Sequence, residues 1–280
     1  MPISRRLPEQ GVVLFDERPR LPLSPAHRDL VCSPGDVSCQ QPSPTREQHD
    51  EQPACDHPGP RLLGGAAHWS KVILELKRLG HDNLHAVELP LTSLADDAER
   101  TRKMIAQQQG PVLLVGHSYG GAVITEAGNQ PNVVGLVYIA AFAPDSGESP
   151  GGITQEHLPL AAANLATDSD GYLWVKADRF HESFCQDLAA DEGLVMGITQ
   201  KAPLASTFGD AIGSPAWKSK PSWYQISSAD RMIAPENQER MAARIAPRKI
   251  VTLDASHASL ASRAKEVAAL IDEAAVATAH

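Results

Sequence analysis

The chain lacks any run of about 18 apolar residues, so no membrane-spanning helix is expected and no membrane partner is assigned. It also lacks a basic excess. There are 25 Lys and Arg against 34 Asp and Glu, for a net charge of −9, and no basic cluster, so a nucleic-acid partner is not expected. Cysteine is scarce: Cys32, Cys39, Cys55 and Cys185 form no CxxC pair, and no Cys/His set has zinc-site spacing. No metal site is therefore expected, and four reduced thiols fit a cytoplasmic protein. The N-terminus, MPISRRLPEQGVV, has two arginines but no apolar segment of the length a secretory signal needs. What remains is 280 residues, 42% hydrophobic and 21% charged, enough for one large α/β domain or two small ones.

Two unlike parts follow. Residues 1–60 hold 11 of the 22 prolines, with runs such as Arg18-Pro19-Arg20-Leu21-Pro22. Proline locks φ and removes an amide donor, so this segment is expected to be poorly ordered, with only Val12-Val13-Leu14-Phe15 able to form a short strand. From Arg61 onward the pattern is regular. Helical spacing covers Trp69–Leu79, Ser93 starts a helix that Gly110 stops, and Tyr119–Gly128 and the stretch from Ser262 to Thr278 read as further helices. Leu84–Leu89 is a short apolar stretch. Pro111–Val115 and Val133–Ala141 read as buried strands, with Pro221–Ser227 and Lys249–Leu253 completing the set. This alternation predicts a mostly parallel sheet covered by helices on both faces. Residues 146–216 interrupt it and read as a helical lid. Its apolar side chains either line a binding site, for which Trp174, Phe180 and Phe184 are the candidates, or pack the lid onto the sheet.

Gly116-His117-Ser118-Tyr119-Gly120-Gly121 directly follows the strand Pro-Val-Leu-Leu-Val. This is G-x-S-x-G in the strand–turn–helix setting that exposes a serine hydroxyl at a helix N-terminus. A serine hydroxyl needs a base to take its proton, and the base needs a carboxylate to hold its tautomer. Four histidines follow Ser118: His157, His181, His257 and His280. His157 and His181 lie in the lid and His280 is terminal, whereas His257 sits in the loop after the last strand. Asp230, in the loop after Ser222–Ile226, is the candidate acid, with Asp254 and Glu236 as competitors.

The segments LTSLADDAERTRKMIAQQQGPVLLVGHSYGGAVITEAGN, VVGLVYIAAFAPDSGES, PAWKSKPSWYQISSADRMIAPENQERMA and the DASHAS loop resemble a bacterial group of α/β-hydrolase-fold esterases related to the plant methyl-salicylate esterase and hydroxynitrile lyase family. The resemblance implies Ser118, Asp230 and His257 as a catalytic triad, a helical lid, and activity on small-molecule esters without metal or organic cofactor. It also shows one departure. The family begins with an apolar strand ending in His-Gly, which here falls on Pro60-Arg61 after EQPACDHPG, so residues 1–60 read as a replacement of the family's usual start. By position, the amides of Tyr119 and Leu62 are the expected oxyanion donors. Two other chemistries stay open: a cyanohydrin lyase, with Lys218 or Lys220 as its lysine, and a non-catalytic ligand-binding protein.

Overall fold

The computed structural model describes residues 68–279 and, as backbone, the strand at 11–17. Six strands form one parallel sheet: β1 (Gly11–Glu17), β2 (Leu84–Leu89), β3 (Val112–Ser118), β4 (Val133–Ala141), β7 (Ser222–Ser227) and β8 (Lys249–Leu253). Their spatial order is β2-β1-β3-β4-β7-β8. A separate antiparallel pair, β5 (Leu165–Thr167) and β6 (Leu173–Val175), belongs to the segment between β4 and β7.

The period-two pattern of the strands sorts the helices onto two faces. Leu113, Val115, Val137, Ile139 and Trp223 point toward α1 (Ser70–Arg78) and α9 (Ala264–Ala277). The intervening Leu114, Leu136, Tyr138 and Tyr224 point toward α2 (Leu94–Ala106), α3 (Gly120–Ala127) and α7 (Pro235–Ile245). Ser93 caps α2 as its position predicts, accepting from the Asp96 amide at 3.0 Å. No helix among the described residues is long and apolar enough to cross a membrane.

The N-terminal expectation needs correction. Residues 1–60 do not all stand apart from the α/β domain, because Gly11–Glu17 fills the slot between β2 and β3, pairing with both. The apolar quartet was legible in the sequence, but its neighbours in the sheet are supplied from residues 84–89 and 112–116, too far along the chain for local spacing to reveal. Leu62 and the rest of 18–67 lie outside the described residues.

The segment between β4 and β7 is not wholly helical. It holds α4 (Pro150–Glu156), α5 (Phe180–Phe184) and α6 (Ala190–Ile198), several 3₁₀ turns, and the β5–β6 pair. Asp168 sits in the β5–β6 connection and accepts from the amides of Asp170 and Tyr172. A short Asx-type turn of this kind carries no helical periodicity.

α2 also braces the turn after β3. Asp97 is fully buried, accepting from the Leu91 amide at 2.7 Å and the Tyr119 hydroxyl at 2.9 Å. Leu91 holds a left-handed φ of 62° to make that contact. Burial pushes the Asp97 carboxyl up to about 6, against the lowering pull of the Leu91 and Tyr119 hydrogen bonds and the nearby Lys201.

Two predictions follow from this architecture. A proline at position 13 removes a ladder donor from a central strand, so Val13→Pro should lower stability by roughly 3 kcal/mol in thermal or urea unfolding. An unchanged transition would show that Gly11–Glu17 is not part of the sheet. For Asp97, an ordinary aspartate near 3.8 loses its proton below the pH at which the folded one does, near 6. The folded state thus holds the extra proton between those values, and stability contributed by this group falls as pH rises through that window. Measured against Asp97→Asn, wild type should lose roughly 3 kcal/mol in all between about pH 3 and pH 7, about 2 kcal/mol of it between pH 4 and pH 6, and should level off above pH 7.

Candidate active site

The turn from β3 into α3 is set by a lack of space. A Cβ on Gly116 would lie 2.6 Å from the Gly120 carbonyl oxygen, and one on Gly121 would lie 2.2 Å from that of Phe142. Only glycine permits the helix to approach the strands so closely. Squeezed between them, Ser118 takes a left-handed φ of 54°, a strained conformation for a non-glycine residue. The neighbouring strand accommodates the bend with a register shift at His117/Ser118 and a second left-handed residue, Ala140. The Phe142 amide then donates to the Ser118 carbonyl at 3.0 Å. The result is a half-buried serine at the C-terminal end of the sheet, facing a cavity of about 260 Å³.

His257 and Asp230 arrive from the loops after β8 and β7. His257 Nδ1 lies 2.7 Å from Asp230 Oδ2, with both residues buried. A carboxylate can only accept, so Nδ1–H donates and the neutral ring presents Nε2 as its basic nitrogen. Ser118 and His257 line the same cavity. The competitors Asp254 and Glu236 are exposed.

The acid is held on both oxygens. Oδ1 accepts from the amides of Met232 at 2.7 Å and Ile233 at 3.0 Å, and Oδ2 also accepts from Gln238 Nε2 at 2.8 Å. Gln238 is itself fixed, accepting from the Ser227 amide through Oε1 and donating to the Ile233 carbonyl. Sequence reasoning missed this residue because Gln238 sits among Glu236, Asn237, Glu239 and Arg240 and reads as a solvent-facing turn of helix. His117 was missed as well. Its Nε2–H donates to the His257 carbonyl at 2.9 Å, tying the loop of the base back to the turn that carries the serine.

Of the three lid residues singled out in the sequence, two reach the cavity. Phe180 is buried and stacks on Phe184 at 5.0 Å between centroids, and both rings line the wall. Phe184 also meets the His257 ring edge-on at 4.8 Å. Trp174 does not reach it. Its indole Nε1 donates to Asp168 Oδ2 at 2.8 Å, which turns the ring outward from β6 and leaves it 36% exposed. On a three-residue strand, neighbours alternate faces, and it is Leu173 and Val175 that line the cavity. Phe142 and Phe208 complete the aromatic wall, and Lys201, which donates to the Leu89 carbonyl, is the one Lys or Arg among the described lining residues. No Asp or Glu is among them.

Tyr119 follows the serine at the start of α3, and its ring is anchored on Asp97. Leu62, its expected partner at the oxyanion site, lies outside the described residues. Lys218 pairs with Asp145, and Lys220 donates to the Val133 carbonyl at 2.8 Å; neither lines the cavity. Cys185 is buried in the lid, and burial pushes its thiol up to about 12, which makes it a poor nucleophile. Among the described residues, no group of three or more His, Cys, Asp or Glu is placed to hold a metal ion.

Comparison with known proteins bears on this arrangement. The probable hydrolase R7 of a Phoma species is 26% identical over 158 residues, which cover 54% of this chain and 63% of that protein. The chain thus spans less than two thirds of that relative. Among solved structures, the pyrethroid hydrolase PytH superposes with a TM-score of 0.65 at 22% identity, covering 77% of this chain and 94% of that one. Polyneuridine aldehyde esterase superposes with a TM-score of 0.66 at 18% identity, covering 76% and 95%. At such identities these structures speak to the fold. The profile described as Alpha/beta hydrolase family matches residues 53–270, most of the chain, and the protein belongs to that family.

Proposed function

We propose that this protein is a serine esterase that cleaves small carboxylic esters through an acyl-enzyme on Ser118. The observation that carries the proposal is the 2.7 Å contact between His257 Nδ1 and Asp230, which leaves Nε2 as the base of an imidazole lining the same cavity as a strained serine. In this reading, Nε2 takes the Ser118 proton as Oγ attacks the ester carbonyl, and the Asp230 carboxylate stabilises the imidazolium. The oxyanion rests on the Tyr119 amide, at the positive end of α3. The imidazolium then returns its proton to the leaving alkoxide. Water, deprotonated by the same nitrogen, releases the acid and regenerates the serine.

The wall supports a compact apolar or aromatic acyl group. Phe142, Phe180, Phe184 and Phe208 offer ring faces and edges, and Leu165, Val175 and Ile233 offer aliphatic surface. The esterase and hydrolase names of the two structural neighbours point the same way.

Ser118→Ala should reduce turnover of 4-nitrophenyl acetate by more than about 1,000-fold while the protein stays folded. Wild type should release p-nitrophenol in a burst approaching one equivalent per enzyme. Cyanide release from mandelonitrile without any ester turnover would instead establish the lyase chemistry and overturn the proposal. A cavity whose described lining residues include Lys201 and no carboxylate should also discriminate by charge. Esters with a neutral apolar acyl group should be cleaved at least about tenfold faster, by kcat/KM, than isosteres carrying an ammonium.

A further inference from the structure

One stretch of the lid touches both sides of the acid and both sides of the base. Residues 182–187, at the end of α5, run across the loops after β7 and β8, and four hydrogen bonds join them. Arg231 Nη1 donates to the Glu182 carbonyl at 2.9 Å, and Gln186 Nε2 donates to the Ala229 carbonyl at 2.6 Å. These are the residues flanking Asp230. The Ala258 amide donates to the Phe184 carbonyl at 3.2 Å, and the Ser256 amide donates to Asp187 Oδ2 at 2.9 Å. These are the residues flanking His257. The Phe184 ring then closes on the imidazole edge-on.

Of the four contacts, the one from Asp187 is made by a charged side chain to a backbone amide one residue from the base. Ser256 is buried, so its amide needs a protein partner, whereas Asp187 itself reaches in from the surface. Hydrogen bonds from a carboxylate to a backbone amide are among the stronger ones available. Burial works to raise the Asp187 carboxyl, but hydrogen bonds from the Ser256 hydroxyl and amide and from Ser262 outweigh it and hold it below the usual carboxylate range. The chain from Asp254 to Ala258 belongs to no strand, so the direction of the imidazole depends on such ties.

We propose that Asp187 is a positioning residue: through the Ser256 amide it fixes the loop that aims His257 Nε2 at Ser118, so the lid organises the catalytic base as well as covering the cavity. The proposal rests on the esterase reading above. It does not require Asp187 to touch substrate, and Asp187 does not line the cavity.

The test compares Asp187→Ala and Asp187→Asn with wild type in three readings: kcat and KM for 4-nitrophenyl acetate, the rate at which a fluorophosphonate labels Ser118, and the unfolding temperature. Loss of the tie should lower kcat and the labelling rate of Asp187→Ala about tenfold, with KM within about twofold and unfolding within a few degrees of wild type. Asp187→Asn keeps a side-chain carbonyl that can accept from the same amide, and it should recover most of both rates. Full labelling in Asp187→Ala, a change confined to KM, or an Asn variant as impaired as Ala would each overturn the proposal. If Asp187→Ala does not fold, Asp187→Ser, polar but too short to reach the amide, takes its place with the same expected readings. Wild-type protein that neither labels nor turns over the ester would sink the esterase reading, and this proposal with it.

Discussion

The close approach of α3 to β3 and β4, possible only because residues 116 and 121 have no side chain, is the constraint on which the site depends. It puts Ser118 in a left-handed conformation that serine does not choose alone, and it forces a matching bend in β4 at Ala140. The strain is tolerated because the surroundings over-determine it. Tyr119 is pinned through its hydroxyl to a buried aspartate, and the Ser118 carbonyl is held by the Phe142 amide. The half-buried hydroxyl that results is the feature around which everything else at that end of the sheet is arranged.

The acid and the base are organised in layers around this turn. Asp230 is held by two amides and by a glutamine that is itself held at both ends, so its Oδ2 meets His257 in a fixed direction. His117, inside the serine turn, reaches across to the carbonyl of His257. The lid segment 182–187 grips the loops from the opposite side. The lid is therefore bonded to the residues flanking Asp230 and His257, and Phe184 lines the cavity from that same stretch. Asp97 plays a comparable part beneath the turn at the cost of keeping a carboxylate out of water, which is why its proton is held up to about 6.

The order of the sheet also shows how far a strand can lie from its neighbours in sequence. Gly11–Glu17 pairs with strands that begin more than 70 residues later, inserting between two elements that local patterning would place side by side. Parallel pairing makes this possible, since it links strands by crossover connections rather than tight turns.

Much of the molecule was legible from the chain alone. The strand–turn–helix around Ser118, the strands 133–141 and 249–253, the cap at Ser93, and the loops bearing Asp230 and His257 follow from apolar period, glycine placement and chain order, which act over a few residues. What only the tertiary structure decided are the pairings between segments far apart. Gln238 turns inward because Asp230 lies beneath it, Trp174 turns outward because Asp168 captures its indole, and Asp187 matters because Ser256 is folded against it. A side chain's own chemistry is written at its position in sequence, but its partner is chosen by packing, and packing brings together residues that share no local signal.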